Sequence, residues 1–385
     1  MRVLHLFDRY LNHTMNWAWR LLKYGPPKPL VAAPLLVENR FLDSDFTFLP
    51  PFWPRRFSTE WEITRFHQAL SSLAWKYSRL YQHFLYRKLR SNPPQLLHAH
   101  FAQTGWYFLD LAKALKCPLL VSFYGYDYER LPQRYPVWQQ RYAVLFRQAR
   151  AFFVEGEHGA FLLRSMGCPE EKIRILPLGV ELPPESLSSP EKEAGVLQLI
   201  QAATFTEKKG QMDTLQAFHQ ALHQAPNMQL TFVGEKAQPE VFSRLQTYVK
   251  DHQLEGKVQF VDFVPFGKFY SFLAQHHLFL HPSRYAADGD CEGGAPVVLL
   301  DAQALGLPVV STRHCDIPSR VLHKKTGLLC EEGDVDGLAR ALLYFYQMPL
   351  EEYRAFQKAA RQFVRESFEA RLIGRKLEAL YRTFC

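Results

Sequence analysis

The residues with the clearest chemical potential follow a predicted strand at 278–281. Glu292, Gly293, Gly294, Ala295 and Pro296 separate that strand from a predicted helix at 297–305. Glycines before a helix start leave backbone N–H groups that can converge on one anion, and the helix dipole adds to the attraction. Pro296 suits the first helical position. The pattern favours a diphosphate cradle, and a ligand-free strand–helix turn is the alternative interpretation.

Two carboxylates and one lysine could complete such a site. Glu292 directly precedes the glycines, where it can accept hydrogen bonds from sugar hydroxyls, and Asp301 lies on the following helix, where it can accept from a ribose diol. Lys209 belongs to a segment, 205–211, that follows a predicted strand and opens a helix. Its ammonium could neutralise phosphate charge, and a solvated lysine pair in a turn is the alternative.

The elements that must position these residues alternate between strand and helix. This alternation predicts an α/β protein with two doubly wound parallel-sheet domains, whose ligands bind at the carboxyl ends of the strands. A stretch rich in Pro, Ser and Glu at 182–195 has the composition of a linker. Strands are predicted at 2–7, 30–37, 96–101, 118–123, 151–154 and 173–176, and then at 197–204, 229–234, 258–263, 278–281, 308–311 and 327–330.

Composition excludes several classes of protein. The chain has 385 residues, of which 47% are hydrophobic and 22% charged, values that exclude wholesale disorder. No apolar run is long enough to span a membrane, and the first residues are too short an apolar stretch for a signal peptide. We therefore expect a cytoplasmic protein, with peripheral association with the inner face of the membrane as a further option.

Basic charge is concentrated in the first half of the chain. Residues 1–190 carry 24 basic and 15 acidic residues (+9), and residues 191–385 carry 22 and 23 (−1), which together give the net charge of +8. Residues 52–90 hold eight basic residues, two acidic residues and ten aromatic residues. This segment could lie on an anionic membrane or an anionic acceptor, it could bind nucleic acid, or it could form amphipathic helices with a solvated basic face.

The cysteines give no recognisable metal or disulfide pattern. The six cysteines include no Cys-x-x-Cys pair and none at zinc-finger spacing from a histidine. We therefore expect small core residues rather than structural zinc or a disulfide framework.

Several motifs resemble, in order and spacing, those of the retaining glycosyltransferases of family 4, which have the GT-B fold. Segments at 207–210, 306–310, 325–329 and 333–334 match the second domain of the family, and segments at 98–101, 122–127 and 167–182 match the first. The segments at 292–296 and 311–318 resemble the colanic acid and exopolysaccharide branch. The resemblance covers about residues 95–385 and implies a GT-B architecture with two domains facing a central cleft.

The resemblance also implies domain limits and residue roles. Residues 1–185 would bind the acceptor, 186–195 would be a linker, 196–365 would bind the donor, and a helix at 366–385 would cross back to the first domain. The implied catalytic residues are Glu292, Lys209 and Tyr124. The implied donor-binding residues are Thr204, Lys208, Lys209, Val264, Glu292, Gly293, Gly294, Ala295 and Asp301, and the implied acceptor-binding residues are Asn12, Thr14, His100 and Asp127.

The sequence departs from the family pattern at four places. Asp301 replaces a glutamate and lies one residue farther along, and the loop at 8–14 lacks a glycine-rich turn. Thr204 replaces an arginine, which removes a guanidinium contact to phosphate. Lys208 and Arg284 are the candidates to replace that contact. Tyr124 replaces a histidine and is a poor base at neutral pH.

From this resemblance we expect a retaining, metal-independent glycosyltransferase without a cofactor. It would move a sugar from a nucleotide-diphospho-sugar to a polysaccharide or lipid-linked oligosaccharide acceptor in cell-surface glycan synthesis. The leaving diphosphate assists the chemistry, so charge stabilisation matters more than a strong base. Its partners would be the nucleotide sugar, the glycan or lipid-linked acceptor and an anionic membrane surface contacted through 52–90, but not nucleic acid. An inactive scaffold with the same fold and a nucleotide-sugar epimerase are the alternatives.

Overall fold

The chain divides into two structural units. The computed structural model describes residues 1–12, 15–35, 37, 41, 43–49 and 79–385. Unit 1 comprises Met1–Gly179 with Ala370–Cys385, and unit 2 comprises Val180–Glu369. Each unit is built on one parallel sheet, so the predicted class of two doubly wound α/β domains is confirmed.

Unit 1 has a seven-stranded sheet in the order β3-β2-β1-β4-β5-β6-β7. The winding reverses between β1 and β4, which are neighbours at its centre. All seven strands are short, and all except the two partly exposed edge strands are buried on both faces, as parallel sheets covered by helices require. They are β1 (Val3–Leu6), β2 (Leu30–Ala32), β3 (Thr47–Phe48), β4 (Leu96–His100), β5 (Leu119–Ser122), β6 (Ala151–Val154) and β7 (Ile173–Ile175).

The helices of unit 1 cover this sheet and bury an aromatic core. Phe108, Phe123, Tyr142 and Phe152 are almost fully buried within one cluster. The described helices before residue 179 are α1 (Asn16–Tyr24), α2 (Arg79–Leu89), α3 (Ala102–Tyr107), α4 (Leu109–Leu115), α5 (Gly125–Tyr128), α6 (Arg130–Arg134), α7 (Val137–Gln148) and α8 (Glu157–Ser165).

Unit 2 has a six-stranded sheet in the order β10-β9-β8-β11-β12-β13. This is the doubly wound order whose switch point lies between β8 and β11. The strands are β8 (Leu197–Ala202), β9 (Met228–Val233), β10 (Val258–Val261), β11 (Leu278–His281), β12 (Val309–Thr312) and β13 (Gly327–Cys330).

Two buried clusters line the faces of this second sheet. One contains Leu215, Phe218 and Phe345, and the other contains Leu299 and Ile317. The helices are α9 (Gln211–Leu222), α10 (Pro239–Asp251), α11 (Phe266–Leu273), α12 (Val298–Ala304), α13 (Val335–Gln347) and α14 (Leu350–Ser367).

The last helix, α15 (Ala370–Arg382), returns to unit 1 and packs against α1. Its buried residues Ile373, Leu377 and Tyr381 join a cluster with the first strand. The two helices approach closely, because a Cβ at Gly374 would lie 1.8 Å from the carbonyl oxygen of Tyr24.

The position of the predicted linker differs from the structure. The chain leaves unit 1 at Gly179, and residues 186–195 belong to unit 2. Ser189 and Lys192 are buried; Gln357 Nε2 donates to Ser189 Oγ at 2.8 Å, and Lys192 Nζ donates to the Tyr346 carbonyl at 3.0 Å. The composition correctly indicates irregular backbone, but side-chain contacts hold it against unit 2. The returning segment likewise begins at Ala370 rather than at 366.

The predicted elements otherwise correspond to observed ones. Each of the twelve predicted strands overlaps an observed strand, and β3, with two residues, is additional. The strand predicted at 30–37 ends at Ala32. In the part of the chain that the structure describes, no helix has both the length and the apolar character to cross a membrane.

Part of the basic aromatic segment is visible as α2. Tyr81, Leu85 and Leu89 are buried, whereas Arg87 and Lys88 are exposed. This is the amphipathic arrangement with a solvated basic face. The rest of the segment, 52–78, lies outside the described residues.

Candidate functional site

The candidate site lies where the loops after β8 and β11 meet. These strands are neighbours at the switch point of unit 2, and their carboxyl ends are the usual ligand position in such sheets. The loop after β8 carries Thr204, Lys208 and Lys209, and the loop after β11 carries Glu292 and the glycines that follow it. The topology therefore brings together two segments that are more than eighty residues apart.

A short turn fixes Lys209. A 3₁₀ turn at Glu207–Lys209 is followed by Gly210, whose φ of 64° lies in the left-handed region. A Cβ at Gly210 would lie 2.0 Å from the carbonyl oxygen of Pro282, so only glycine allows the two loops to approach this closely. Gln201 on β8 donates its amide to the Lys209 carbonyl at 2.7 Å. The backbone of Lys209 is therefore held from two sides.

Lys209 and Glu292 form the central ion pair of the site. Lys209 Nζ lies 2.8 and 2.6 Å from the two carboxylate oxygens of Glu292. Ser283 Oγ donates to the same carboxylate at 2.7 Å, and His281 Nε2 lies 3.4 Å from it. Burial acts to raise the pKa of Glu292, but the charge of Lys209 and the contact with His281 outweigh it and hold the pKa well below its usual value. Glu292 is therefore an anion at neutral pH.

A buried histidine supports the backbone of Glu292. The Glu292 amide donates to His314 Nε2 at 3.2 Å, and His314 Nδ1 donates to Glu332 Oε1 at 2.7 Å. Burial acts to lower the pKa of His314, but hydrogen bonds with Cys291 and Glu332 and the charge of Glu332 outweigh it, so the pKa is raised. The Glu332 contact fixes the orientation of the ring.

The two cations proposed to replace the missing arginine are already paired. Lys208 Nζ donates to the Cys291 carbonyl at 2.8 Å and to Asp290 at 3.2 Å. Arg284 forms an ion pair with Asp213 at 3.2 Å. Thr204 is half-buried, and its carbonyl accepts from Gln211. Lys208 thus stabilises the loop that precedes Glu292, and Arg284 stabilises the start of α9.

The glycine loop differs from the predicted cradle in one respect. Gly293 has a φ of 71°, and the helix begins only at Val298, so Pro296 precedes the helix instead of opening it. The Gly294 carbonyl accepts from the Asp316 amide at 3.1 Å. Within the described part of the chain, the amides of Gly294 and Ala295 donate no hydrogen bond. Any anion here would be held by loop amides, because α12 starts too late to contribute.

Asp301 and Val264 lie on the α11 side of unit 2. Asp301 is 3% exposed, and the Tyr270 hydroxyl lies 2.6 Å from its Oδ1 and 2.9 Å from the Glu181 carbonyl. Val264 is half-buried immediately before α11 and packs on the cluster that contains Leu299. The ribose contact predicted for Asp301 and the donor contact predicted for Val264 stay predictions.

The implied catalytic residue Tyr124 contacts two of the implied acceptor-binding residues of unit 1, His100 and Asp127. His100 Nδ1 lies 3.0 Å from the Tyr124 hydroxyl, and Asp127 Oδ2 accepts from the Tyr124 amide at 3.0 Å, so that Asp127 caps α5. Burial raises the pKa of the Tyr124 hydroxyl far above neutrality. Burial likewise raises the pKa of Asp127 to about 8. Tyr124 therefore cannot act as a base at neutral pH.

Three imidazoles meet at the centre of the unit 1 sheet. His5 Nδ1 lies 3.0 Å from His100 Nε2, and His98 contacts Ser122 Oγ at 2.8 Å and also the Tyr381 hydroxyl. Burial lowers the pKa of His5 to about 3 and the pKa of His98 and of His100 well below the usual value. These histidines are neutral core residues, with His100 at the end of β4.

The N-terminal loop is only partly described. The Asn12 carbonyl accepts from the Met15 amide at 2.8 Å, and Thr14 lies outside the described residues.

Sequence reasoning missed the residues that surround Glu292. His281 is the last residue of β11, Ser283 follows that strand, and His314 follows β12, so each stands at the carboxyl end of a strand beside the switch point. Strand position is therefore the signal that could have identified them. Glu332 contacts His314 from beyond β13, and no sequence pattern marks it.

Two family models match the chain, one for each unit. The family described as Glycosyltransferase Family 4 matches residues 44–182. The family described as Glycosyl transferases group 1 matches residues 185–363.

Relatives match across most of the chain. WcaL of Escherichia coli, a glycosyltransferase assigned to colanic acid biosynthesis, is 33% identical over 287 residues, which are 73% of this chain and 69% of WcaL. AmsK of Erwinia amylovora, an amylovoran biosynthesis glycosyltransferase, is 33% identical over 256 residues, which are 66% of this chain and 61% of AmsK.

Solved structures share the fold. Anabaena HepE, crystallised with UDP and glucose, has a TM-score of 0.74 at 14% identity, with 99% of both chains covered. A sucrose-phosphate synthase from Thermosynechococcus elongatus has a TM-score of 0.70 at 16% identity, with 100% of this chain and 98% of that chain covered. Since family models match both units and WcaL matches over most of its length, this chain belongs to glycosyltransferase family 4, with the GT-B fold, and resembles the exopolysaccharide branch of that family.

Proposed function

We propose that this glycosyltransferase moves a sugar from a nucleotide-diphospho-sugar to a polysaccharide or lipid-linked oligosaccharide acceptor, with retention of configuration and without a metal. The observation that carries the proposal is the Lys209–Glu292 pair, with Nζ–O distances of 2.8 and 2.6 Å, at the switch point of unit 2. The fold neighbour HepE was crystallised with UDP and glucose, which supports a nucleotide-sugar donor for unit 2.

Lys209 suits a diphosphate because its ammonium is oriented but not saturated. An ammonium has three donors, and Glu292 accepts two of them. The third can contact a phosphate oxygen, together with the loop amides of Gly294 and Ala295. Charge that develops on the leaving diphosphate would meet these fixed donors, which is how preorganised sites lower a barrier.

Glu292 is the residue suited to the donor sugar. Its carboxylate stays ionised, and carboxylates accept hydrogen bonds strongly from hydroxyls. Ser283 and His281 hold the carboxylate in place, so little order would be lost when a sugar hydroxyl binds. Asp301 is assigned to the ribose and Val264 to the base on the family resemblance.

Retention is supported by the properties of the residues that the family resemblance implies as catalytic. Burial raises the pKa of Tyr124 far above neutrality, and Glu292 is engaged by a lysine. A retaining transfer in which the leaving diphosphate takes the acceptor proton needs neither a protein base nor a carboxylate nucleophile. We assign His100, Tyr124 and Asp127 to positioning of the acceptor.

The acceptor is proposed from the relatives. WcaL and AmsK are assigned to colanic acid and amylovoran biosynthesis, which points to a growing exopolysaccharide. A membrane-bound acceptor would suit α2, where Leu80 is 67% exposed beside the basic Arg87 and Lys88. Charge reversal of Arg87 and Lys88 should then reduce binding to anionic vesicles and make the residual binding insensitive to salt, and unchanged binding would contradict this part of the proposal.

Calorimetric unfolding with nucleoside diphosphates tests the donor proposal. UDP, GDP, ADP and TDP are added in turn with EDTA present. A diphosphate at 100 times its Kd adds about 2.7 kcal/mol to the unit that binds it, a shift on the order of 5–10 °C for a unit of this size. One diphosphate should raise the transition of unit 2. Lys209→Ala should abolish the shift, and Lys250→Ala, which removes an exposed lysine of α10, should preserve it.

Product analysis tests the chemistry. The product formed from an α-linked donor should carry an α-linkage by proton NMR, in buffer containing EDTA. An inverted linkage, or sugar transfer that requires added metal, would contradict the mechanism. If no diphosphate shifts the transition of unit 2, the chain is a scaffold with this fold.

A further inference from the structure

Two sulfurs and one imidazole nitrogen converge behind Glu292. Cys291, His314 and Cys315 each offer a ligand atom, and these atoms lie within 4.8 Å of one another. Cys291 and His314 are buried, and Cys315 is half-buried. The proposed transfer uses none of the three side chains.

The imidazole is already oriented as a ligand. His314 Nδ1 donates to Glu332 Oε1 at 2.7 Å, so the lone pair is on Nε2, where it now accepts from the Glu292 amide. Cys315 Sγ lies 3.2 Å from that nitrogen, and the Cys291 thiol hydrogen-bonds the same ring. A histidine held by a carboxylate through its second nitrogen is the arrangement that metal sites use.

The donor set selects a soft divalent cation. Two thiolates and an imidazole are ligands that Zn²⁺ prefers, whereas Mg²⁺ and Ca²⁺ prefer oxygen. In a tetrahedral zinc site the sulfur and nitrogen ligands lie about 3.6 Å apart, close to the 3.2 Å observed here. Two thiolates also cancel the charge of the cation, so burial of the site leaves no net charge uncompensated.

We propose that Cys291, His314 and Cys315 bind Zn²⁺ as a three-ligand site with one open coordination position. Both thiols lose their protons to solvent on binding, and the two sulfurs and Nε2 each donate an electron pair to the metal. The three residues form no recognisable sequence motif, because 22 residues separate Cys291 from the adjacent His314 and Cys315. The loops after β11 and β12 bring them together.

Occupancy of this site should disturb the donor site. Zinc on His314 Nε2 removes the acceptor of the Glu292 amide, which now bonds that nitrogen at 3.2 Å. Glu292 and its lysine partner would then shift, so zinc should weaken donor binding. This consequence rests on the proposed function, whereas metal binding itself does not.

Titration of the full chain with Co²⁺ tests the site, because cobalt bound by thiolates absorbs through sulfur-to-metal charge transfer. The protein is kept reduced and free of oxygen. We expect one equivalent of Co²⁺ to give this absorption and Zn²⁺ to displace it. Cys291→Ser, Cys315→Ser and His314→Gln should each weaken binding by at least tenfold. Cys117→Ser, which removes a half-buried thiol of unit 1, should bind as the unaltered chain does.

Absence of charge-transfer absorption in the unaltered chain would overturn the proposal, whether or not a variant folds. Unchanged absorption in Cys315→Ser, with calorimetry showing an intact unit 2, would overturn it as well, because the cobalt would then be elsewhere. A chain that binds cobalt but binds no nucleoside diphosphate in its metal-free form would contradict only the donor proposal. A chain that binds a diphosphate but no cobalt would contradict only the metal site.

Discussion

At the scale of single residues, Lys209 and Glu292 have different proposed roles. Lys209 binds the diphosphate, and Glu292 binds the donor sugar. Lys209 faces both oxygens of the carboxylate, and Ser283 holds the carboxylate independently of the lysine. Gln201 and the close approach at Gly210 hold the backbone of Lys209, so removal of the negative charge of Glu292 leaves the loop of the lysine in place and weakens the competition for its donors. The two residues should respond to mutation in opposite ways when binding of a bare diphosphate is measured.

We predict that Glu292→Gln lowers kcat/KM about 100-fold, because loss of one preorganised charged contact costs on the order of 3 kcal/mol. Affinity for the bare nucleoside diphosphate should stay the same or rise, since Lys209 loses its competing partner. Steady-state kinetics and titration calorimetry measure the two effects. Glu240→Gln, at an exposed position of α10, is the control. A parallel loss of diphosphate affinity would show that Glu292 only positions the lysine.

Gly210 gives a second prediction at this scale. Gly210→Ala places a Cβ 2.0 Å from the Pro282 carbonyl on a backbone with a φ of 64°. Unit 2 should lose about 1–3 kcal/mol of stability, and diphosphate affinity should fall because the loop of Lys209 moves. Calorimetry measures both. Gly256→Ala is the matched control, because nothing lies within 4 Å of its added Cβ, and an equal effect there would contradict the argument.

How much of the site the sequence predicts depends on spacing. Glu292 and Lys209 could be identified because each lies in a loop between a predicted strand and a predicted helix. His281, Ser283 and His314 come from the ends of two strands and act on Glu292 only after the sheet has formed. Because ligands of such sheets bind at the carboxyl ends of the strands, the sequence indicates the region in which these residues lie. It does not indicate which of them contact one another.

At the scale of elements, the alternation of strand and helix predicts both sheets, because period and length distinguish buried parallel strands from amphipathic helices. The errors fall at element ends. The loop that contains Gly293, with a φ of 71°, continues beyond Pro296, and α12 begins only at Val298. The segment at 186–195 has the composition of a linker but is held by Gln357 and by burial of Lys192.

The contact of α15 with α1 gives the prediction at this scale. Gly374→Ala would put a Cβ 1.8 Å from the Tyr24 carbonyl, so the helices must separate and Ile373 and Leu377 lose packing. Unit 1 should lose about 1–3 kcal/mol. All seven tryptophans lie between residues 17 and 138, so the fluorescence of urea unfolding reports unit 1 alone. Gly267→Ala, in open space on a helix of unit 2, should leave that transition unchanged, and no loss in Gly374→Ala would contradict the packing argument.

At the scale of the whole molecule, the two units carry different electrostatic designs. Unit 2 keeps Glu292 ionised beside a cation, whereas unit 1 buries neutral groups. Burial lowers the pKa of His5 to about 3 and also lowers the pKa of His98 and of His100. Burial raises the pKa of Asp127 to about 8. The stability of unit 1 should therefore depend on pH through two opposing effects, one from Asp127 and one from the three histidines.

The direction in which each group changes the stability of unit 1 with pH depends on whether the folded or the unfolded state binds more protons. Between about pH 8 and 4, folded Asp127 is protonated and the unfolded carboxylate is not, so this residue makes unit 1 more stable as pH falls. Below about pH 6.5 the unfolded chain protonates three imidazoles that the fold keeps neutral, so they make unit 1 less stable as pH falls. Below about pH 6.5 the effect of the three histidines exceeds that of the single aspartate, and above it the aspartate effect remains alone. The stability of unit 1 should therefore be greatest near pH 6.5.

We predict that unfolding by urea, followed by tryptophan fluorescence from pH 5 to 8, shows this maximum for unit 1. Stability should fall by about 1 kcal/mol per pH unit above the maximum and by at most about 3 kcal/mol per unit below it, which correspond to one proton and to two net protons. Asp127→Asn keeps an acceptor for the Tyr124 amide and should abolish the fall on the alkaline side. His5→Gln should halve the slope on the acid side. His83→Gln, which removes an exposed imidazole of α2, should change neither slope. A flat profile between pH 5 and 6.5 would mean that the three imidazoles take up protons while unit 1 is still folded.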